Sequence, residues 1–273
     1  MGFSFYHKIP LWLDFVLFIV VLLVALEVGF RIGLLRRVRS KEELEAAGGR
    51  ISLNSMFAVL GLMLAFTFGA TLTRHETRKA ALIDEANALG TAFLRASLVE
   101  EPGRAELRNA LLEFGETRVV ERGQGISAEE LDVILSKSWD AKGKLWPITE
   151  RIVRNSERGP VEVALLDAVN EVLDSETRRA AAVFDSLPEV VLTLLLLIAA
   201  ATVAVTGYNA GLSGRMSRWR TTILMIVMTS IVMVILDFDR PLVGFIHVRD
   251  DSIRSAVGEM RETLAEEGVG LSE

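Results

Sequence analysis

Four long apolar stretches, grouped as two close pairs on either side of a charged middle segment, constrain this chain more than any other feature. They cover residues 11–35, 51–72, about 189–208 and 221–236. A helix needs about 20 mostly apolar residues to cross the hydrocarbon core of a bilayer. The fourth stretch reaches this length through Phe238 if Asp237 lies at the interface. The sequence predicts an all-α, polytopic membrane protein with four transmembrane helices.

A membrane β-barrel and a cleaved signal peptide both fit the apolar stretches less well than spanning helices. Strands of a barrel alternate in polarity, whereas residues 15–26 are continuously apolar. The first stretch exceeds the short core of a signal peptide and ends in Glu27, followed by several arginines, so we expect it to be retained. The chain has no cysteine, which excludes disulfides, thiolate metal sites and cysteine nucleophiles.

The linker lengths predict the domain organisation. Short linkers pair the stretches into a first transmembrane hairpin, 1–72, and a second, 188–238. Between them lies a segment long enough for its own domain, 73–187, and a polar C-terminal tail, 239–273, follows. We expect the second span to continue as a helix to about residue 99. Further helices are expected after residues 104 and 127, followed by a break at 142–147. A last helix, 161–187, is expected to lead into the third span.

The basic residues of the short loops predict the orientation. The first loop carries Arg36, Arg37, Arg39, Lys41 and Arg50, and the second carries three arginines, Arg215, Arg218 and Arg220. The positive-inside rule therefore places both loops in the cytoplasm, and the middle domain and both termini outside.

Two charged clusters should meet on one face of the membrane, because alternating crossings bring the ends of the second and fourth spans together. Their members are Arg74, His75 and Arg78, and Asp237, Asp239 and Arg240. One interpretation is an ion-pair network that docks the middle domain onto the spans. The other is a charged vestibule that selects ions at a pore mouth.

The spans themselves contain few candidate functional residues. Asp14 and Glu27 are carboxylates in the first stretch, and Glu27 has Arg31 four residues later, the favourable order for a helical ion pair. In the second span a small-residue pattern typical of helix packing is formed by Gly61, Ala65 and Gly69. A neighbouring face could form an apolar pore constriction in an oligomer, and it carries Asn54, Ala58, Leu62 and Phe66.

The polar group Asp84, Glu85 and Asn87 interrupts a helix rich in alanine and leucine. We expect Glu85 to be buried and paired with a basic residue of another helix. Metal binding by Asp84, Glu85 and His75 has no supporting spacing motif. No phosphate-loop, nucleophile-elbow, zinc-protease or dinucleotide pattern occurs, so we expect no enzyme and no cofactor. A net charge of −6 with scattered basic residues argues against nucleic acid as a partner.

Several of these residues carry a resemblance to a known family. The run 69–95, above all the segment DEANALGTAFLR at 84–95, together with LDFDRP at 236–241 and Gly244 and Phe245, resembles a family of four-span bacterial membrane proteins of unknown function that is labelled bestrophin-like. That family is distantly similar to bestrophins, which are pentameric anion channels whose second span lines the pore. The resemblance implies a homo-oligomeric anion channel with a cytoplasmic middle domain, the opposite of the orientation that the loop charges predict.

Two functions follow as alternatives. The first is an ion channel of the inner or plasma membrane that passes anions, lined by the second span, with Arg74 and Arg78 at its mouth. The second is a membrane-anchored scaffold or sensor whose helical domain binds another protein. The partners expected are the lipid bilayer, further copies of the chain and ions.

Overall fold

The computed structural model describes residues 11–39, 46–119, 128–156, 159–240, 246 and 248–268. These residues form helices and contain no strand, which confirms the all-α prediction. The helices are α1 (Leu11–Arg39), α2 (Ala46–Ala96), α3 (Gly103–Arg118), α4 (Ala128–Asn155), α5 (Pro160–Phe184), α6 (Glu189–Ser213), α7 (Arg218–Asp239) and α8 (Asp251–Glu266).

The chain divides into two compact units. Met1–His75 and Ser186–His247 form the first, which we call the membrane unit, and Glu76–Asp185 and Val248–Glu273 form the second, the helical unit. The boundaries after His75 and before Ser186 lie within three residues of those expected, and the boundary after His247 lies nine residues beyond the expected end of the second hairpin. The C-terminal segment is the exception, because it belongs to the helical unit.

The membrane unit contains α1, α6, α7 and the part of α2 up to His75. Among the described residues, four helical segments are long and apolar enough to cross a membrane, and they include these four helices. Inward side chains such as Leu22, Leu60, Leu195 and Ile235 form one buried core. Many large apolar side chains of the same helices are exposed, as expected for surfaces that contact lipid rather than water. The chain is therefore a multi-pass membrane protein.

Hydroxyl groups inside the spans are satisfied by their own helices. Thr67 donates to the carbonyl of Met63 at 2.7 Å, and Thr229 donates to that of Met225 at 2.8 Å. Such bonds remove the cost of a polar group in a medium without water. These residues therefore need no partner from another helix.

Glycines let α1 and α6 approach until their backbones touch. A Cβ added to Gly29 would lie 2.0 Å from the carbonyl oxygen of Ala204, and one added to Gly207 would lie 2.3 Å from that of Leu26. Gly33 and Gly211 are equally tight against the opposite backbone. This is the small-residue packing mode of membrane helices. It was expected in the second span, but within this chain it joins the first and third spans.

The helical unit is built from α3, α4, α5, α8 and the part of α2 after His75. Its core collects apolar side chains from all five helices, for example Leu89, Leu111, Leu145, Val169 and Val257. The prediction that the second span continues as one long helix is confirmed, since α2 runs without interruption from Ala46 to Ala96.

The expected break at 142–147 is absent, because α4 runs through Pro147 to Asn155. A proline in a helix loses the hydrogen bond to the carbonyl four residues earlier, which here is that of Gly143. Both Gly143 and Pro147 are exposed, whereas Leu145 and Ile148 are buried in the core. Burial of the opposite face therefore outweighs the local cost of the proline.

The last helix of the middle segment directly precedes the third span but is not continuous with it. It ends at Phe184, and α6 begins at Glu189 after a linker of four residues. At the other end of α5, backbone N–H groups of Glu162 and Gly159 lower the pKa of the Glu162 carboxylate. The carboxylate accepts the Gly159 N–H at 2.7 Å and so caps the helix.

The segment predicted as a polar tail contains α8. Four apolar side chains at helical spacing are buried, namely Ile253, Val257, Met260 and Leu264, and the last three lie in the core of the helical unit. Their spacing of three or four residues was visible in the sequence. The polar residues between these positions led instead to the prediction of a polar tail.

Candidate functional site

The face of α2 that was expected to line a pore is open within the single chain. Its residues Asn54, Ala58, Leu62 and Phe66 are all exposed, Leu62 to 55% and Phe66 to 68%. On the opposite side of the same helix, Leu60 and Leu64 are buried in the core of the membrane unit. The second span therefore uses one face for its own chain and leaves the other for lipid, a partner or a water-filled path.

The small-residue stripe of α2 makes no close helix contact with the described part of the chain. Gly61, Ala65 and Gly69 are exposed, and a Cβ added to Gly61 or Gly69 would meet no atom within 4 Å. The glycines of α1 and α6 supply the close helix contact instead. The α2 stripe is therefore open to packing against another molecule.

The ends of the second and fourth spans meet, as alternating crossings require. The His75 ring lies edge-on to Phe238 with ring centroids 5.2 Å apart, and Phe68 contacts the same ring at 5.9 Å. An aromatic cluster thus joins α2 to α7 in the membrane unit. Arg74, one residue before His75, is half-buried and donates to the Ala70 carbonyl at 3.3 Å.

The acidic members of the predicted vestibule bind backbone N–H groups. Asp239 accepts the N–H of Leu187 at 2.9 Å, and Asp237 accepts that of Ile246 at 2.8 Å. Charged acceptors make strong bonds to backbone donors, so both carboxylates stabilise the segments that adjoin the spans. Pro241, Gly244 and Phe245, which carry part of the family resemblance, lie outside the described residues.

Arg240 forms a buried ion pair with Asp14 of α1. The two side chains are only 4% and 5% exposed, so each charge depends on the other for compensation. The sequence identified Asp14 as a costly membrane carboxylate but did not reveal its partner, which is 226 residues away along the chain. These contacts all lie within the membrane unit, where Asp237, Asp239 and Arg240 hold neighbouring segments together.

Arg78, which was expected at a pore mouth, is buried and bonded within the chain. It is 4% exposed, and its guanidinium donates to the carbonyls of Ala182 at 3.1 Å and Asp185 at 2.5 Å. These carbonyls lie at the carboxyl end of α5, where backbone acceptors lack helical donors. The side chain therefore completes the end of a helix within the helical unit.

Glu85 is buried and paired with basic residues of other helices, as expected. Its carboxylate receives Arg118 of α3 at 2.7 Å and Arg179 of α5 at 2.5 Å. Arg118 also donates to Ser138 of α4 at 3.1 Å. One carboxylate thus connects four helices of the unit through charge-assisted hydrogen bonds.

Asp84 and Asn87 are exposed and share an open groove of about 300 Å³ on the helical unit. The groove also includes Thr91, Arg95, Asp167 and Glu171. Arg95 donates to the Ala164 carbonyl at 2.8 Å, and Arg178 pairs with Glu171. Within the described residues no group of three or more metal-type side chains is arranged to hold an ion, and the geometry thus lends no support to a metal site at Asp84, Glu85 and His75.

A family model described as a Bestrophin-like domain matches residues 15–253. The match covers the first span from residue 15 onwards, the other three spans and the whole middle segment, so it includes every candidate residue discussed above except Asp14. No curated protein matches the chain.

Proposed function

The chain belongs to the Bestrophin-like family, and on that premise we propose that it assembles into a homo-oligomeric channel that passes anions across the inner or plasma membrane. A four-span bundle whose core is filled by side chains has no path for ions through its centre. In the proposed channel, the ion path therefore lies between copies of the chain. The proposal assigns no catalytic activity to the chain.

The observation that carries the proposal is the open face of α2. Leu62 and Phe66 are large, apolar and exposed, while Asn54 adds an amide on the same side of the helix. The adjacent Gly61, Ala65 and Gly69 would let the second spans of neighbouring copies approach closely. Around an axis, rings of Leu62 and Phe66 would form an apolar constriction that gates by dewetting.

The preference for anions rests on the resemblance of this family to bestrophins. In the proposed assembly the amide N–H groups of Asn54 would face the path and donate to a passing anion. Arg74 is half-buried at the other end of the second span and would raise the local anion concentration. Arg78 has no part in the proposal, because its guanidinium is held by α5.

Chloride efflux from liposomes that contain the purified full chain tests the proposal. We expect flux above that of empty liposomes, and a rise of at least about twofold for Leu62→Ala or Phe66→Ala, because a wider, less apolar ring dewets less readily. Leu194→Ala is the matched control, since Leu194 is an exposed leucine of α6. Absence of chloride flux, or the same flux from all three variants, would refute the channel.

A second function, a membrane-anchored scaffold or sensor, is favoured by a different observation. The helical unit exposes Trp139 to 73% and Trp146 to 41% on α4, and exposed tryptophans are enriched where proteins bind partners. Under this alternative the helical unit binds another protein and the spans serve as an anchor. A monomer in mild detergent, measured by light scattering, would favour the scaffold over the channel.

A further inference from the structure

One end of the membrane unit brings together arginines from two distant parts of the chain. Helices α1 and α6 run in the same direction, because Gly29 lies against Ala204 and Gly33 against Tyr208. Their carboxyl ends therefore meet. Arg36 donates from Nη1 to the Tyr208 hydroxyl at 2.9 Å.

The turn between α6 and α7 brings further arginines to the same place. Gly214 has a φ of 67°, and a Cβ there would lie 1.3 Å from Nη1 of Arg37, so this guanidinium lies directly over the turn. The exposed arginines of this end, which we call the arginine cluster, are Arg36, Arg37, Arg215, Arg218 and Arg220.

Apolar and aromatic side chains surround the arginine cluster. Trp219 is 68% exposed between two of the arginines, and Leu35 is exposed to the same extent beside Arg36. Tryptophan is enriched at the headgroup level of membranes, where its ring is partly apolar and its N–H can reach polar groups. Trp219 therefore favours a bilayer depth at which the neighbouring guanidinium groups can reach lipid phosphates.

Acidic residues are scarce around the cluster. Residues 28–39 and 208–236 contain no aspartate or glutamate, and Glu27, just before the first of these ranges, pairs with Arg31 at 2.7 Å. Glu42, Glu43 and Glu45 belong to the connection outside the described residues. The described part of this end is therefore strongly positive.

We propose that the arginine cluster binds the headgroups of anionic phospholipids. Clusters of four to eight basic residues beside a membrane span attract anionic lipid, and guanidinium matches phosphate oxygens with two parallel hydrogen bonds. The exposed apolar side chains beside the cluster favour a lipid over a soluble phosphate, because acyl chains can cover them. The proposal does not depend on channel activity, since it concerns the lipid-facing side of α1, α6 and α7.

The test uses Trp219 as a fluorescent reporter in the full chain. Trp12, Trp139 and Trp146, all exposed, are replaced by phenylalanine so that Trp219 alone emits. The protein is placed in mixed micelles with phosphatidylglycerol or phosphatidylcholine that carries bromine, a quencher, on its acyl chains. We expect phosphatidylglycerol to quench at about fivefold lower concentration than phosphatidylcholine.

Charge variants locate the effect. Combined Arg37→Gln, Arg215→Gln and Arg218→Gln should abolish the preference, whereas combined Arg151→Gln, Arg154→Gln and Arg178→Gln in the helical unit removes the same charge and should keep it. Circular dichroism checks that both variants remain helical. If the control loses the preference equally, the attraction is one of net charge and the cluster is not the site.

Two results with the protein that retains all of its arginines would overturn the proposal. Equal quenching by both lipids means that the cluster does not select anionic headgroups, as expected if Glu42, Glu43 and Glu45 neutralise it. Removal of the preference by inorganic phosphate at the concentration of the lipid headgroup means that the site binds free phosphate. Neither result bears on chloride flux, so the two proposals can fail separately.

Discussion

At the scale of single residues, several buried charges of this protein join segments of the chain. Asp14 with Arg240, Asp239 with the Leu187 N–H, and Arg78 with the end of α5 each connect parts distant along the chain. A buried charge that loses its partner costs several kcal/mol. Such pairs therefore fix which segments lie side by side, even where their net contribution to the free energy of unfolding is small.

Glu85 allows a direct test of this role. Glu85→Gln keeps the size of the side chain but removes the carboxylate that Arg118 and Arg179 share, and these side chains are only 14% and 15% exposed. Arg118 then retains Glu176, whose carboxylate is 4.0 Å away. We expect a loss of about 3 kcal/mol of stability in the helical unit, seen as a lower melting temperature by circular dichroism in detergent. Asp84→Asn, at the exposed neighbouring position, should change stability by less than about 0.5 kcal/mol. Equal melting temperatures of the two variants would contradict the buried network.

At the scale of elements, contact between helices depends on where side chains are missing. Gly29 and Gly33 face Gly207 and Gly211 across the closest approach of two spans, whereas Gly61 and Gly69 of α2 face open space in the chain. Both patterns have the same four-residue spacing. Only the arrangement of the helices distinguishes a contact made within the chain from one left for a partner.

Gly207→Ala tests the closest approach. The added methyl would lie 2.3 Å from the Leu26 carbonyl oxygen and 3.0 Å from the Phe30 nitrogen, and backbone atoms cannot move aside as side chains can. We expect α1 and α6 to separate at a cost of about 1–3 kcal/mol, measured as a lower melting temperature in detergent. In Gly61→Ala the methyl meets no atom of its own chain within 4 Å, so no such loss should occur. The same melting temperature for both variants would show that the contact contributes nothing.

At the scale of the whole molecule, the packing of α8 agrees with the alternation of the four spans, which places the C-terminal and middle segments on one side of the membrane. Val248–Glu273 and Glu76–Asp185 form one compact unit, with Val257, Met260 and Leu264 in a common core. A compact unit with one core lies in one compartment. The C-terminal segment and the middle segment must therefore be on the same side.

Reporter fusions check this prediction and determine the side. A periplasm-active phosphatase and a cytoplasm-fluorescent protein are fused, separately, after Glu273 and near Gly125. We expect the two sites to give the same result with each reporter, and opposite results would contradict the shared unit. Phosphatase activity at both would agree with the loop arginines. Fluorescence at both would agree with the bestrophin-type orientation. It would place the arginine cluster in the leaflet that faces away from the cytoplasm.

The sequence by itself determined the four spans, the helical middle segment, the length of α2, the burial of Glu85 and the family. These properties depend on hydropathy and on the spacing of residues close together in the chain, which act locally. Only the tertiary structure decided that Asp14 pairs with Arg240, that Arg78 completes α5, that α8 joins the helical unit and that α1 packs on α6. A partner for a charge or a gap for a glycine exists only once distant helices lie side by side, and local spacing carries no information about that choice.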